Sequence, residues 1–223
     1  MSNASWIISP QEFLVGKGTK LHYICRPWTS MLTLRIVFSE DIYSETADNN
    51  GISYLSSRML LEGSERWTSK QLNMYMEKYA IEAVALSGGI QFTCLESSWT
   101  KLQIVLEEIL KRPRLEKSRF SKVKRQIEQE LKSTFDDSDQ LAHFHLRQAV
   151  FDKSPGNLLS TGSPESIASI QDEQVRNYWH RNLNAGGLNM FMVAAMDSSS
   201  IIKSLNNILP DDIADTNFIN ELP

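Results

Sequence analysis

Three side chains with polar or charged groups, Tyr54, Ser57 and Arg58, follow one another at positions i, i+3 and i+4. On an α-helix these positions share one face, so we expect the three groups to lie close together. Zinc takes imidazole nitrogen, thiolate or carboxylate as ligands, whereas an arginine guanidinium stays protonated and only donates hydrogen bonds. A serine hydroxyl cannot act as the general base for water. The pattern therefore predicts a helical face without a catalytic zinc site.

The stretch around these residues predicts the helix that carries them. Four apolar residues recur at three- and four-residue spacing: Ile52, Leu55, Met59 and Leu60. With Gly51 before it and Gly63-Ser64 after it, the stretch resembles the helix of the pitrilysin/insulinase peptidases that carries the inverted zinc motif His-x-x-Glu-His. Tyr54 and Arg58 stand where the two zinc-binding histidines would be, and Ser57 stands where the catalytic glutamate would be. The resemblance implies an apparently inactive member with a degenerate motif, in which the zinc of the family is not expected.

In active members of that family a third zinc ligand, a glutamate, lies on a long downstream helix. The segment 127–131 aligns with that place and puts Glu130 at the ligand position, while Val123 stands where a helper glutamate is expected. We interpret Glu130 as a possible remnant of the metal site. We predict that it forms an ion pair with Arg58 and joins the two helices where zinc once did. The alternative is a surface carboxylate on a charged helix.

Hydrophobic periodicity predicts the elements that must position these residues. Strands are predicted at 19–25, 31–38, 83–87, 90–95 and 188–195. Further helices are predicted at 69–79 with Ser69 as a candidate cap, 99–110, 115–150 with an interruption near 133–139, 164–170, 171–182 and 198–209. This order of elements indicates an α+β fold with a largely antiparallel sheet covered by helices on one face.

The resemblance to the pitrilysin/insulinase peptidases extends over most of the chain, from about residue 10 to 210. Gly162-Ser-Pro-Glu-Ser-Ile167 resembles a helix start of the family, and Val193-Ala-Ala-Met-Asp197 resembles the end of one of its strands. Ser154 replaces the histidine of a His-Pro turn. The likeness implies one insulinase-like unit at 10–210, either the N-terminal half of a longer subunit or a free-standing unit. Residues 1–9 are expected to be a tag or disordered, and 211–223 a linker.

Members of this family pair two or four such units around unfolded peptide. The resemblance therefore implies two kinds of partner: a protein partner, which is either an active pitrilysin-type peptidase subunit or a second insulinase-like unit, and unfolded peptide. In the family an edge strand beside the zinc helix holds the peptide through backbone groups. Here that strand would be formed by Ala83, Val84, Ala85, Leu86 and Ser87. The alternative is that these residues form only an internal hairpin strand.

Three functions remain open at this point. The leading interpretation is a non-catalytic homologue that contributes to a peptide-binding chamber with an active partner or a second unit. The second is an active zinc metalloendopeptidase with rearranged ligands, which needs Glu130 and a histidine from elsewhere in the chain. The third is an interaction module without a role in proteolysis.

Composition limits the remaining classes of protein. A hydrophobic content of 41% and a charged content of 22% are ordinary for a soluble globular domain. The net charge of −4, without a basic stripe interleaved with aromatic residues, argues against nucleic acid as a partner. No apolar run is long enough to span a membrane. Cys25 and Cys94 are expected to be buried free thiols, with a disulfide left open. The sequence leaves the compartment open between the cytoplasm and, if an export signal was removed, the periplasm.

Overall fold

The computed structural model describes residues 9–16, 18–40, 42–151, 155–184 and 188–209. Residues 1–8 of the expected tag, the expected linker 211–223 and Ser154 lie outside the described residues. The strands are β1 (Gln11–Val15), β2 (Thr19–Cys25), β3 (Met31–Phe38), β4 (Glu82–Leu86), β5 (Gly89–Leu95) and β6 (Leu188–Ala194). They form one sheet in the order β1-β2-β6-β3-β5-β4. The pair β2–β6 is parallel and the other four pairs are antiparallel, so the predicted α+β fold is confirmed.

Strand β1 was not predicted from the sequence, so the predicted order of elements was wrong at its start. Its sequence Gln-Glu-Phe-Leu-Val does not alternate cleanly between polar and apolar residues, and only Val15 is fully buried. The strand exists because its backbone pairs along its whole length with β2, from Gln11 opposite Tyr23 to Val15 opposite Thr19. Pairing of this kind leaves little trace in local periodicity.

Eight α-helices accompany the sheet in the described part of the chain. They are α1 (Ile52–Leu60), α2 (Ser69–Lys78), α3 (Trp99–Lys111), α4 (Lys117–Asp136), α5 (Ser138–Phe151), α6 (Pro164–Ser169), α7 (Asp172–Asn184) and α8 (Ser198–Ile208). The predicted interruption of the long helical region falls at Asp137, whose carboxylate accepts hydrogen bonds from the backbone N–H groups of Asp139 and Gln140. The predicted cap of α2 was wrong by one residue. Thr68, not Ser69, is the N-cap, and it forms a capping box with Gln71.

The helices pack on one face of the sheet and enclose the core. On β3 the predicted inward residues Leu32, Leu34, Ile36 and Phe38 are all at most 2% exposed. Phe38 meets Trp179 of α7 edge to face, with ring centroids 5.6 Å apart. The alternate residues of the same strand face away from the helices. The sheet therefore has one covered face and one face that the described helices leave open.

The two cysteines differ in their surroundings. Both are free, but Cys25 is exposed and Cys94 is buried, so the expectation of two buried thiols was wrong for Cys25. Cys25 is the last residue of β2. Burial raises the pKa of the Cys94 thiol to about 11. Within the described residues, no helix has the length and apolar character needed to cross a membrane.

Candidate functional site

Helix α1 begins where two backbone segments touch without side chains between them. Gly51, the N-cap of the helix, has φ of 90°, a left-handed conformation that favours glycine. A Cβ on Gly51 would lie 2.7 Å from Cα of Gly162 and 2.8 Å from the carbonyl oxygen of Thr161. The segment before α6 and the start of α1 can therefore approach this closely only because both contact points are glycines.

A buried carboxylate fixes the first turn of α1. Glu45 accepts hydrogen bonds from the backbone N–H groups of Gly51 at 2.8 Å and Ser53 at 3.0 Å. It also accepts from the Ser53 hydroxyl and from the side-chain amide of Asn50. These N–H groups have no partner within the helix, and the N-terminus favours negative charge. Sequence reasoning missed this role, because nothing in the local pattern around Glu45 separates a capping carboxylate from a solvated one.

Tyr54, Arg58 and Glu130 form one hydrogen-bonded cluster between α1 and α4. Arg58 Nη1 donates to the Tyr54 phenol oxygen at 3.0 Å and lies 3.0 Å from both carboxylate oxygens of Glu130. The Arg58 side chain is 24% exposed and that of Glu130 is 50% exposed. The predicted ion pair between these two residues is therefore present, and its Glu130 end is open to solvent.

The cluster stabilises a positive charge on α1. Burial acts to lower the pKa of Arg58, but the hydrogen bonds to Tyr54 and Glu130 outweigh it and raise the pKa above its ordinary value. The guanidinium carbon also lies 5.7 Å from the centroid of the Tyr54 ring. Arg58 is thus a fixed cation at this position of the helix.

Ser57 is not part of the cluster. It is fully buried, and its hydroxyl donates to the carbonyl of Ser53 and accepts from the backbone N–H of Gly89. These bonds tie α1 to the start of β5. The structure therefore brings Tyr54 and Arg58 together and directs the third motif position into the protein.

The buried apolar face of α4 sets the position of Glu130. Four apolar residues of the helix are buried at helical spacing: Phe120, Val123, Ile127 and Leu131. Glu130 lies beside this stripe, where a carboxylate can reach α1 and remain partly hydrated. Val123, at the position of the expected helper glutamate, is fully buried and has no polar function.

The segment predicted to bind peptide is an edge strand. Observed β4 covers Glu82–Leu86, one residue earlier than predicted, and pairs on one side with β5. No other described strand pairs with its outer side. Ser87, just beyond the strand, shares a hydrogen bond of 2.9 Å with Ser53 of α1. The edge position beside α1 is confirmed, whereas peptide binding there stays a prediction.

The residues at the degenerate motif do not fit zinc. Two of the three side chains in the cluster offer a phenol and a guanidinium, and Arg58 would repel a divalent cation. The four histidines lie on other elements: His22 on β2, His143 and His145 on α5, and His180 on α7. Among the described residues, no group of three or more His, Cys, Asp or Glu side chains is arranged to hold a metal ion.

A family model described as Insulinase (Peptidase family M16) matches residues 33–161. This span is more than half of the chain and runs from β3 past the end of α5. The chain belongs to the insulinase family. Strand β4, α1 and the Glu130 position on α4 all lie inside the matched region.

The individual proteins that this chain resembles are distant in sequence, and the solved structures among them share its fold. A probable mitochondrial-processing peptidase subunit beta from Arabidopsis thaliana is 21% identical over 168 residues, which cover 74% of this chain and 32% of that protein. The structure of a peptidase M16 inactive domain from Pseudomonas fluorescens matches with a TM-score of 0.77 and 16% identity, over 90% of this chain and 50% of that chain. The periplasmic protease PqqL from Escherichia coli matches with a TM-score of 0.79 and 12% identity, over 94% of this chain and 25% of that chain. This chain thus spans half the length of these relatives or less.

Proposed function

We propose that this insulinase-family chain is a non-catalytic unit that holds unfolded peptide and pairs with an active subunit or a second insulinase-like unit. The observation that carries the proposal is the cluster of Tyr54, Arg58 and Glu130. A guanidinium that donates to both partners stands at a position where the family motif has a metal ligand. The Tyr54 phenol and the Arg58 guanidinium offer no ligand suited to zinc and no general base for water, and the Glu130 carboxylate is paired with Arg58.

Peptide binding does not depend on the lost chemistry. An extended peptide that adds to an open strand edge is held by backbone N–H and C=O groups, and its alternate side chains are read by the neighbouring surface. Strand β4 offers such an edge next to α1. Its residue Val84 is 41% exposed and gives the edge an apolar contact for a bound side chain. The residues Ala83–Ser87 therefore remain the proposed peptide site.

Pairing with another unit is supported by the lengths of the relatives. The chain covers 50% of the inactive-domain structure and 25% of the periplasmic protease. The Arabidopsis relative is named as a subunit. We extend these properties to the present chain as part of the proposal, with a second unit completing the chamber around the peptide.

The test of the non-catalytic role measures zinc and hydrolysis together. The purified chain is incubated with a small excess of Zn²⁺, dialysed, and analysed for bound metal and for cleavage of a quenched fluorogenic peptide library. We expect less than one tenth of an equivalent of zinc and no cleavage, with the same result for Arg58→Ala as a matched variant. Stoichiometric zinc with cleavage that Glu130→Gln abolishes would instead establish a metalloendopeptidase with rearranged ligands.

The test of peptide binding uses proline at neighbouring positions of β4. Successive residues of an edge strand direct their N–H groups alternately toward β5 and toward solvent. Of Val84→Pro and Ala85→Pro, one should therefore remove an outward donor and keep the sheet intact, while the other breaks the ladder with β5. We expect the first variant to retain its unfolding temperature and to lose binding of a labelled unfolded peptide in fluorescence anisotropy. Unchanged peptide binding by the variant that retains its unfolding temperature would exclude this edge as the peptide site and favour an interaction module.

A further inference from the structure

Arg58 uses only one nitrogen of its guanidinium in the cluster with Tyr54 and Glu130. Nη1 donates to the Tyr54 phenol oxygen and lies 3.0 Å from both carboxylate oxygens of Glu130. A guanidinium carries five N–H donors, and three of them belong to Nε and Nη2. Within the part of the chain that the structure describes, neither of these two nitrogens has an acceptor. We call Nε and Nη2 the free side of Arg58.

Arg181 shows which group fits the same two nitrogens. Its Nε and Nη2 each donate to one carboxylate oxygen of Glu40, and both distances are 2.9 Å. Two parallel bonds of this kind are the geometry in which a guanidinium and a carboxylate match best. Because Glu130 contacts only Nη1 of Arg58, a second carboxylate can bind the free side without displacing Glu130.

The free side is reached by solvent and belongs to a residue close to the proposed peptide edge. The Arg58 side chain is partly exposed, and neither Nε nor Nη2 is among the buried polar atoms of the described residues that lack a partner. Helix α1 passes the end of β4, where Ser53 shares a hydrogen bond with Ser87 and the Ser57 hydroxyl accepts from the backbone N–H of Gly89. Arg58 directly follows Ser57, so it belongs to the part of α1 that lies against this end of the edge.

An unfolded peptide offers one kind of group that matches the free side. Its C-terminal carboxylate and its acidic side chains are anions with two oxygens each, whereas a backbone carbonyl has one oxygen and no net charge. Glu130 would repel a second carboxylate, but half of its side chain is exposed and water screens this repulsion. A carboxylate of the peptide is therefore the best partner for the free side.

We propose that Arg58 binds a carboxylate of the peptide through Nε and Nη2, so that this unit selects peptides that present an acidic group beside α1. The inference rests on the peptide binding proposed above and names the feature of the peptide that the site recognises. Tyr54 and Glu130 are positioning residues, because they hold the guanidinium at Nη1 and leave its free side open.

The experiment compares three labelled, unfolded peptides by fluorescence anisotropy. They share one sequence of uncharged residues: the first ends in a free carboxylate, the second ends in an amide, and the third ends in an amide and contains one internal glutamate. We expect at least one acidic peptide to bind about tenfold more tightly than the neutral peptide, which corresponds to about 1.4 kcal/mol. Preference for the first peptide identifies the C-terminal carboxylate as the ligand, and preference for the third identifies an acidic side chain.

Two variants of Arg58 and one matched control test the assignment. Arg58→Gln should remove the preference for acidic peptide and leave the affinity for the neutral peptide unchanged. Arg58→Lys keeps the charge without the planar pair of donors and should reduce the preference. The control Arg181→Gln removes a guanidinium whose Nε and Nη2 are already occupied by Glu40, so it should keep the full preference. Circular dichroism establishes that each variant is folded before it is compared.

Three results would overturn the inference, and they separate it from peptide binding itself. If the wild-type chain binds all three peptides equally, or if Arg58→Gln keeps the preference, peptide binding stands and Arg58 is not a carboxylate site. If Arg181→Gln loses the preference as completely as Arg58→Gln, the effect is one of net charge and not of the free side. If no peptide binds, the proposed peptide binding fails and the inference fails with it.

Discussion

Separating Arg58 from Glu130 should weaken the contact between α1 and α4 by a measurable free energy. Arg58 Nη1 lies 3.0 Å from both Glu130 oxygens, but half of the Glu130 side chain is exposed and water screens the attraction. Exposed ion pairs contribute roughly 0.2–1 kcal/mol in double-mutant cycles. Because three quarters of the Arg58 side chain is covered and Tyr54 holds the guanidinium in place, we expect a coupling free energy near the top of that range, about 1 kcal/mol.

The assay is urea unfolding of the wild-type chain, Arg58→Ala, Glu130→Ala and the double variant. The matched control is the cycle at Arg176 and Asp172, an i,i+4 pair within α7 at 3.1 Å, for which about 0.3–0.5 kcal/mol is expected. Raising the salt from about 0.1 M to about 1 M shortens the screening length from about 10 Å to about 3 Å and should reduce both couplings. A coupling between Arg58 and Glu130 no larger than that of the α7 pair would refute a role in joining α1 to α4.

Three further outcomes follow from particular contacts. Gly51→Ala should lower the free energy of unfolding by at least about 2 kcal/mol, because the added Cβ clashes with its neighbours and the backbone has a left-handed φ. The control Gly18→Ala, at a position with φ of 118° and open space around it, should lower it by only about 1 kcal/mol. Equal losses of stability in thermal unfolding would contradict this expectation. A thiol reagent should modify Cys25 rapidly and Cys94 only after unfolding, because burial raises the pKa of Cys94 to about 11; two fast thiols would count against the fold. Burial raises the pKa of Tyr23 above its ordinary value, so its contribution to stability is complete below about pH 10 and is lost as the pH rises further. Tyr23→Phe should make the alkaline decline of the urea midpoint shallower, and an unchanged decline would exclude Tyr23 as its cause.

Elements with strong local periodicity could be predicted from the sequence almost to the residue. The observed bounds of β3 match the predicted ones at both ends, because its apolar residues alternate without a break. These apolar residues are also the buried ones: Leu32, Leu34, Ile36 and Phe38. The contact between Arg58 and Glu130 is of another kind. The two residues are 72 positions apart, and no periodicity connects them, so it followed only from the resemblance to the insulinase family.

What could not be predicted depends on tertiary partners. Glu45 caps α1 because the chain folds back to place its carboxylate at the helix start. The buried Ser57 hydroxyl accepts a hydrogen bond from the backbone N–H of Gly89 in β5, a contact that local sequence does not reveal. Strand β1 exists through its pairing with β2. In each case the residue type is compatible with several roles, and a contact with a residue distant in sequence determines which role it has.

The position of α1 and the side chains that it presents are set by different residues. The helix is placed by Glu45 at its first turn, by the contact of Gly51 with Gly162, and by the bond from Gly89 to Ser57. None of these interactions uses Tyr54 or Arg58. The outward face of α1 could therefore exchange metal ligands for an ion-paired arginine without moving the helix or the edge strand beside it. If the unit is non-catalytic as proposed, this separation accounts for how it would keep the edge strand proposed to bind peptide without the family's metal ligands on α1.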